Sequence, residues 1–327
     1  MAKKKYNLIS FFAGVGGIEY GFEKTKGFKT IWANEIDSNA SKTYKLNFSA
    51  KLLTEDIQNI DEKTIPDADI LVGGFPCQAF SIAGYRKGFD DDRGNLFFEL
   101  ERVIKQKKPR VLFLENVKNL VSHDDGNTYR VIRETLEKLD YIVRKDVLNA
   151  KDYGNVPQNR ERIYIVAFKN QTDAMHFKDI TTIPLEKSIQ DMLDDHVPQT
   201  YHYSSIKTKL YDDIAKEVNE EGYVYQWRRK YVRKNKSKVF PTLTANMGTG
   251  GHNVPIVFHN GVIRKLTPRE CFRVQGYDDN YKLPTDIADS QLYKQAGNSV
   301  VVPVIQRLAE SIYVALQKTD SSSSTIK

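Results

Sequence analysis

The chain has 327 residues, 49 Lys and Arg against 42 Asp and Glu, a formal net charge of +7, and only two Cys. Two Cys exclude a disulfide-built scaffold and are too few for a zinc ribbon or an iron–sulfur cluster; they fit a reducing, cytoplasmic compartment, and the length allows one large domain or two of modest size. No apolar run approaches membrane-spanning length, and the positive balance favours an anionic partner, nucleic acid first.

Short apolar runs alternate with amphipathic stretches through the first half of the chain. Strands are predicted at residues 6–12, 30–34, 68–72, 111–114, 141–148 and 162–168. Apolar side chains repeat at helical spacing over 95–107 and 125–139, which predicts helices there. Strands that alternate with helices are typical of an α/β domain with a mostly parallel sheet.

The regular alternation ends near residue 170, which predicts a second, smaller domain of irregular and β structure at 181–291. Residues 1–180 and 292–327 are assigned to the first domain. Within the second, the stretch 226–238 carries seven cations and no acid, with two aromatics between them. Residues 300–316 are predicted to form a helix that packs back on the first domain, and the serine run 321–324 to be a flexible tail.

A glycine turn, FAGVGG at 12–17, follows the first strand and opens a helical pattern, which is the setting of a nucleotide-binding turn. Glu35 ends the next strand, where a carboxylate can accept hydrogen bonds from ribose hydroxyls, and Asp56 could accept one from an adenine amino group. Glu19 stands where the dinucleotide pattern G-x-G-x-x-G has its last glycine. This weakens a pyrophosphate-binding interpretation and leaves open an adenosyl ligand or a plain strand–turn–helix connection.

Reactive or charged side chains stand next to three further apolar runs. Cys77 follows the run 70–72 and the segment Gly-Gly-Phe-Pro, a composition that favours a nucleophile over a buried core thiol. Glu115 ends the run 111–114, where a carboxyl group is costly unless paired, protonated or used, so it is either a proton donor or part of an ion pair. Arg160 and Arg162 on one strand would point to the same face, which suits an anionic intermediate or a salt-bridged strand end.

Taken together, these motifs resemble the DNA cytosine-5 methyltransferases, most closely the bacterial restriction–modification enzymes. Eight blocks match in the family's order: 12–17, 74–81, 93–98, 115–117, 149–153, 157–162, 264–277 and 295–300. The resemblance implies a Rossmann-like, S-adenosylmethionine-dependent methyltransferase domain. It also implies a smaller, mostly irregular and β target-recognition domain that binds double-stranded DNA.

The resemblance assigns roles to individual residues. It implies that Cys77 attacks C6 of a flipped-out cytosine, that Glu115 protonates N3, and that Arg162, supported by Arg160, holds the ring, with no metal required. It implies that the loop 81–95 closes over the DNA. It implies that the cofactor is bound by Phe12, Gly14, Gly17, Glu35, Ile36, Asp56, Ile57, Pro76, Leu96 and Asn298, although Ile36 stands where relatives often have an aromatic. It implies that DNA is contacted by Ser81, Arg93, Arg228, Arg229, Lys230, Arg233, Thr242 and Leu243.

The expected biological role is protection of host DNA from a restriction endonuclease that acts on the same site. An orphan regulatory methylase is equally compatible with the sequence. We expect a cytoplasmic monomer that associates with DNA and with no membrane, and that releases S-adenosylhomocysteine as product.

Three other functions are weighed against this one. A tRNA cytosine-5 methyltransferase of the same fold would carry Cys-Phe-Thr near its end, where this chain has Cys271, Phe272 and Arg273. A non-catalytic DNA-binding regulator is disfavoured by the intact Cys77, Glu115 and Arg162. A nicotinamide-dependent oxidoreductase is disfavoured by the imperfect glycine pattern.

Overall fold

The computed structural model describes residues 4–76, 96–204, 211–228, 230–249 and 253–324. The chain divides into two compact units. The first unit consists of Met1–Leu148, Glu161–Thr181 and Ile305–Lys327, and the second of Asn149–Arg160 and Thr182–Val304. The assignment of functions to the predicted domains stays a prediction.

Strands and helices alternate through the described part of the chain. The strands are β1 Tyr6–Phe11, β2 Phe28–Asn34, β3 Lys51–Leu53, β4 Ile70–Gly73, β5 Val111–Val117, β6 Ile142–Asn149, β7 Gln158–Asn159, β8 Glu161–Phe168, β9 Val224–Trp227, β10 Val232–Asn235, β11 Phe240–Pro241, β12 Ile256–His259 and β13 Val262–Lys265. The α-helices are α1 Gly17–Lys24, α2 Ser38–Asn47, α3 Leu96–Lys107, α4 Asn127–Lys138, α5 Ala150–Tyr153, α6 Gln171–His176, α7 Tyr211–Glu217, α8 Pro268–Val274, α9 Asp289–Asn298 and α10 Val302–Ser324.

The first unit is built on a seven-stranded sheet of order β3-β2-β1-β4-β5-β8-β6. The five strands from β3 to β5 are parallel, and β8 runs antiparallel to β5. The central strands are almost continuously apolar because a parallel sheet is covered on both faces: all of β4 and the first four residues of β5 are buried. The predicted α/β fold with a mostly parallel sheet is confirmed.

The C-terminal helix α10 belongs to the first unit from Ile305 onward, and it packs there as predicted. A Cβ added at Gly21 of α1 would lie 2.6 Å from the Ile305 side chain, so a glycine is needed for this close approach. Farther along α10, the Tyr313 ring lies edge-on to the rings of Tyr6 and Phe28, each with centroids 5.9 Å apart.

The predicted flexible tail is wrong as far as Ser324, because α10 continues through the serine run. The helix is held at Asp320, which accepts hydrogen bonds from Lys4 Nζ and Arg110 Nη1 at 2.7 Å. The hydroxyl groups of Ser321 and Ser322 donate to carbonyls one turn earlier in the helix. Tertiary anchoring of Asp320 therefore overrides the low helix propensity of consecutive serines.

One stretch, Asp289–Ser322, is long and apolar enough to cross a membrane by length and composition alone. This differs from the expectation that no apolar run reaches that length. Most of its apolar window is buried inside the structure, as in the core helix of a soluble protein, so it is weak evidence for a membrane span.

The second unit contains a four-stranded antiparallel sheet of order β10-β9-β12-β13. Its apolar side is formed by Tyr225, Val232 and Ile256, together with the α7 residue Ile214. A separate two-stranded parallel ladder joins β7 to β11. The basic stretch 226–238 begins within β9 and continues past the end of β10 at Asn235, so most of it belongs to the hairpin β9–β10.

Candidate active site

Three motif-bearing segments meet in the middle of the sheet of the first unit. Phe11 at the end of β1 pairs with Gly73 of β4, which in turn pairs with Leu114 of β5. The chain leaves β1 toward β2 and leaves β4 toward β5, so the order of strands reverses between β1 and β4. Open α/β sheets bind ligands at the carboxyl ends of strands at such a switch point.

The glycine turn after β1 borders open space on one side. Gly14 and Gly16 have positive φ values of 55° and 83°, which suit glycine. A Cβ added at Gly14 would meet no atom within 4 Å, whereas one at Gly16 would strike the Phe48 ring. Gly14 therefore borders open space, and Gly17 begins α1 on its buried side.

Glu35 ties the end of β2 to the glycine turn. Its Oε2 accepts the Gly14 amide hydrogen bond at 2.6 Å, and its Oε1 accepts that of Asp37 at 2.7 Å. Burial raises the pKa of the Glu35 carboxyl, while the two amide hydrogen bonds act in the opposite direction. The next residue, Ile36, is 64% exposed, which places an open aliphatic side chain directly after a buried carboxylate.

The remaining predicted cofactor residues of the first unit occupy the same edge of the sheet or its flanks. Asp56 caps a short helix by accepting the Gln58 amide at 3.0 Å, and Ile57 is buried beneath it. Pro76 is exposed after β4, and Leu96 is half-buried at the start of α3.

Glu115 and Arg162 form an ion pair across β5 and β8. Arg162 Nε lies 3.2 Å from Glu115 Oε1, and both side chains are mostly buried, 14% and 12% exposed. A Cβ added at Gly74 would lie 3.4 Å from Glu115 Oε2, so the segment after β4 runs past this carboxylate. The structure therefore shows Glu115 in an ion pair, which is one of the two alternatives that the sequence leaves open for this residue.

Asn116 connects the acid motif to the segment that leads to Cys77. Its Nδ2 donates to the Phe75 carbonyl at 2.8 Å, and its Oδ1 accepts the Val117 amide at 2.8 Å. Sequence reasoning quoted Asn116 within a motif but gave it no role. The signal in the sequence is an amide side chain at the end of the apolar run 111–114, because a buried amide needs hydrogen-bond partners.

Several predicted residues lie outside the described part of the chain. These are the nucleophile Cys77, the DNA contacts Ser81, Arg93 and Arg229, and the loop 81–95 that is expected to close. Among the described residues, no group of three or more His, Cys, Asp or Glu side chains is placed to hold a metal ion.

Arg160 differs from its expected placement. Strand β8 begins at Glu161, and Arg160 belongs to the second unit, so the expectation that Arg160 and Arg162 share one strand face is wrong. Arg160 is 3% exposed, and its guanidinium donates to the main-chain carbonyls of Leu243, Gly297 and Ser299.

Two more predicted residues of the second unit have contrasting environments. Asn298 ends α9 and is exposed, so it is open to a ligand. Leu243 is 1% exposed, and both its amide and its carbonyl are hydrogen-bonded within the unit. Leu243 therefore has a structural role inside the unit. Its neighbour Thr242 is half-buried, and its hydroxyl donates to the Asn159 carbonyl at 2.7 Å. Thr242 is the more accessible of the two predicted DNA contacts.

The hairpin β9–β10 presents cations to solvent. Arg228, Lys230 and Arg233 are exposed, and Tyr231 between them is 60% exposed. The hairpin is closed by the Arg228 amide, which donates to the Tyr231 carbonyl at 2.8 Å. Lys234, by contrast, pairs with a carboxylate on the same unit, that of Glu220.

Glu19, which follows the glycine turn, carries a buried carboxyl group. In the sequence this residue stands out only as a departure from the dinucleotide glycine pattern. Glu19 in the first turn of α1 is fully buried, and neither carboxylate oxygen makes a well-formed hydrogen bond among the described residues. Burial raises the pKa of Glu19 to about 7, with a smaller lowering by the Ser10 hydroxyl and smaller increases from Glu23 and Glu35.

Replacing Glu19 by Gln is expected to raise the free energy of unfolding at pH 8 by about 3 kcal/mol and to leave it unchanged at pH 4. The unfolded carboxyl releases its proton near pH 4.5 and the folded one near pH 7, so the wild-type protein loses stability as pH rises through this window. Urea unfolding at both pH values measures the difference. Glu55→Gln, at an exposed position, is the control; an effect of Glu19→Gln that is equal at both pH values would contradict this assignment.

The family of the chain follows from its similarity to a known family of proteins. The family model described as C-5 cytosine-specific DNA methylase matches residues 6–314. The chain belongs to this family. The predicted enzyme class, DNA cytosine-5 methyltransferase, is thereby confirmed.

Bacterial relatives match this methylase along nearly its whole length. Type II methyltransferase M.Bsp6I of Bacillus sp. (strain RFL6) is 56% identical over 312 residues, which cover 94% of this chain and 99% of the relative. Type II methyltransferase M.HhaI of Haemophilus parahaemolyticus is 42% identical over 317 residues, 93% of each chain.

Solved structures share the fold of this methylase. The Entamoeba histolytica methyltransferase EhMeth superposes with a TM-score of 0.75 at 23% identity, over 96% of this chain and 99% of that one. The S. pombe Dnmt2 methyltransferase superposes with a TM-score of 0.71 at 17% identity, over 97% and 100%. At these identities the likeness concerns the fold alone, and it agrees with the predicted methyltransferase fold.

Proposed function

We propose that this methylase transfers a methyl group from S-adenosylmethionine to C5 of a cytosine flipped out of double-stranded DNA. One observation carries the proposal: the glycine turn, with open space beside Gly14, and the Glu115–Arg162 ion pair lie on the same edge of one sheet, on either side of the segment that leads to Cys77. Family membership supplies cytosine in DNA as the substrate.

The residues around the glycine turn fit an adenosyl ligand. The open space beside Gly14, the buried carboxylate of Glu35 and the exposed side chain of Ile36 support this fit. Glu35 would accept hydrogen bonds from the ribose hydroxyls, and Ile36 would cover the adenine as an aliphatic surface. S-adenosylmethionine, when bound, supplies the methyl group as an electrophilic sulfonium.

The protein side chains would make the cytosine ring nucleophilic. The Cys77 thiolate attacks C6 and forms a carbon–sulfur bond, and the electrons of the C5–C6 double bond move so that C5 becomes an enamine carbon. Glu115 acts in its protonated form and donates its proton to N3 as negative charge develops, and Arg162 holds the O2 side of the ring. After methylation, water takes the C5 proton, the C5–C6 double bond re-forms, and the carbon–sulfur bond breaks to release the Cys77 thiolate. N3 returns its proton to Glu115, so the enzyme is regenerated.

The second unit would hold the DNA. The target carbon is inaccessible in a stacked duplex, and flipping the base costs a few kcal/mol, which contacts elsewhere must offset. The exposed cations of the hairpin β9–β10 support phosphate binding. We assign recognition to residues of this unit and cofactor binding and chemistry mainly to the first.

The Type II names of the relatives support a role in restriction–modification. In this role the methylase protects host DNA from an endonuclease that acts on the same site. We expect it to work as a cytoplasmic monomer, because one flipped base needs one site.

Transfer of a radiolabelled methyl group to purified nucleic acids tests the proposal. The wild-type protein is expected to label plasmid DNA and not tRNA, and Cys77→Ser is expected to label neither. Labelling of tRNA with no labelling of DNA would contradict the proposal, as would equal labelling by the two proteins.

A further inference from the structure

Arg160 is a buried cation whose hydrogen bonds go to the main chain. Nη1 donates to the Leu243 carbonyl at 2.6 Å, and Nη2 donates to the Gly297 carbonyl at 3.2 Å and to the Ser299 carbonyl. Only a planar guanidinium offers donors in a fixed fork that can serve three acceptors at once. At 3% exposure, this arrangement holds the positions of all three peptide groups.

Two of those peptide groups flank a predicted ligand contact. Gly297 and Ser299 are the neighbours of Asn298, which is exposed at the end of α9. Because Arg160 binds the carbonyls on both sides, it sets the direction in which the Asn298 side chain leaves the chain. The Ser299 side chain is fixed as well, through a 2.7 Å hydrogen bond with the Tyr277 hydroxyl.

The third peptide group belongs to the segment Phe240–Leu243, which we call the recognition segment. Its first two residues pair with Gln158 and Asn159 in the β7–β11 ladder. The Leu243 amide donates to Gln158 Oε1 at 3.0 Å, and the Thr242 hydroxyl donates to the Asn159 carbonyl. Gln158, Asn159 and Arg160 therefore hold the recognition segment along its length.

Thr244, the residue after the recognition segment, is also in direct contact with Gly297 near the end of α9. A Cβ added at Gly297 would lie 2.1 Å from the Thr244 carbonyl carbon, a distance that no side chain can occupy. A shift of either segment must therefore be transmitted to the other, and Arg160 is the side chain bonded to both.

We propose that Arg160 is a positioning residue that couples DNA binding at the recognition segment to cofactor binding at Asn298. The proposal rests on the proposed function, which supplies the two ligands. It assigns Arg160 no contact with the reacting cytosine. Coupling between two sites is reciprocal, so each ligand must raise the affinity for the other by the same factor.

Isothermal titration of the full-length protein tests this proposal with S-adenosylhomocysteine as one ligand. The other ligand is a DNA duplex that carries the recognition motif, which is first identified by mapping 5-methylcytosine in plasmid DNA from cells that express this chain. In the wild type, saturating duplex is expected to tighten S-adenosylhomocysteine binding about tenfold, and the reverse experiment to give the same factor. Arg160→Lys keeps the charge but offers one ammonium in place of the fork, so the factor is expected to fall to near unity while each ligand alone still binds.

Arg273→Lys is the matched control. Arg273 is also mostly buried in the second unit. It donates to the Met192 carbonyl and to the carboxylates of Asp194 and Asp279, rather than to the three carbonyls that Arg160 binds. This variant is therefore expected to keep the coupling. Should Arg160→Lys fail to fold, Gln158→Met removes the acceptor of the Leu243 amide and is expected to lower the factor. The inference is overturned if Arg160→Lys or Gln158→Met keeps the coupling factor of the wild type. It is also overturned if the wild type shows no coupling between the two ligands. A wild-type protein that binds neither ligand overturns the proposed function and this inference with it.

Discussion

Replacing Glu115 by Gln is expected to lower kcat for methyl transfer about 10²- to 10⁴-fold, the usual contribution of a positioned proton donor. The carboxylate is mostly buried, paired with Arg162 at 3.2 Å, and adjacent to the segment that leads to Cys77. An amide keeps the size and some hydrogen bonds but cannot deliver a proton to N3. Steady-state transfer of a labelled methyl group, with KM measured for DNA, separates this loss from weakened binding.

Glu161→Gln is the control for Glu115→Gln. Glu161 lies at the start of β8 and pairs with Lys118 at 2.8 Å on the surface. Its replacement is expected to change kcat by less than about twofold, as for an exposed ion pair. If Glu115→Gln kept kcat within about threefold of the wild type, the proton-donor role would be contradicted.

Replacing Glu270 by Gln is expected to lower the free energy of unfolding by about 3–5 kcal/mol, the usual result of breaking a buried ion pair by removal of one charge. Glu270 and Arg264 are almost fully buried and joined by two hydrogen bonds of 2.7 and 2.8 Å. The same carboxylate accepts the amides of Thr267 and Asp194. The substitution leaves the guanidinium buried beside a neutral amide and weakens contacts among three segments of the second unit.

Urea unfolding at neutral pH measures this loss. Glu134→Gln serves as the control, since Glu134 pairs with Arg130 on an exposed helix face and is expected to cost less than about 0.5 kcal/mol. A loss below about 1 kcal/mol in Glu270→Gln would show that the buried pair contributes little.

The sequence predicts the sheet of the first unit well, for a physical reason. Strands buried on both faces are continuous apolar runs, and the residue that ends such a run stands at the edge where the sheet binds ligands. Glu115 ends the apolar run of β5, and the structure brings it next to Arg162. Glu35 directly follows β2, whose sequence FKTIWAN is less continuously apolar. The short strand β3, three residues long, has too little pattern to be predicted.

Features that depend on distant partners could not be predicted from local patterns. Arg160 binds Leu243, which is 83 residues away in the sequence, so its burial in the second unit is invisible in the run Arg-Glu-Arg. The helical serine run depends in the same way on the contact between Asp320 and Lys4, 316 residues apart. Glu19 looks like an ordinary polar residue of a helix start, and only the packing of α1 shows that it is buried.

Base-resolution mapping of 5-methylcytosine tests the central claim most directly. Plasmid DNA would be sequenced from cells that express this chain and from cells that express Cys77→Ser. The account predicts methylation of cytosine at one short motif in the first and none in the second. Unmethylated DNA in the presence of soluble, folded wild-type protein would contradict it, and so would equal methylation in both.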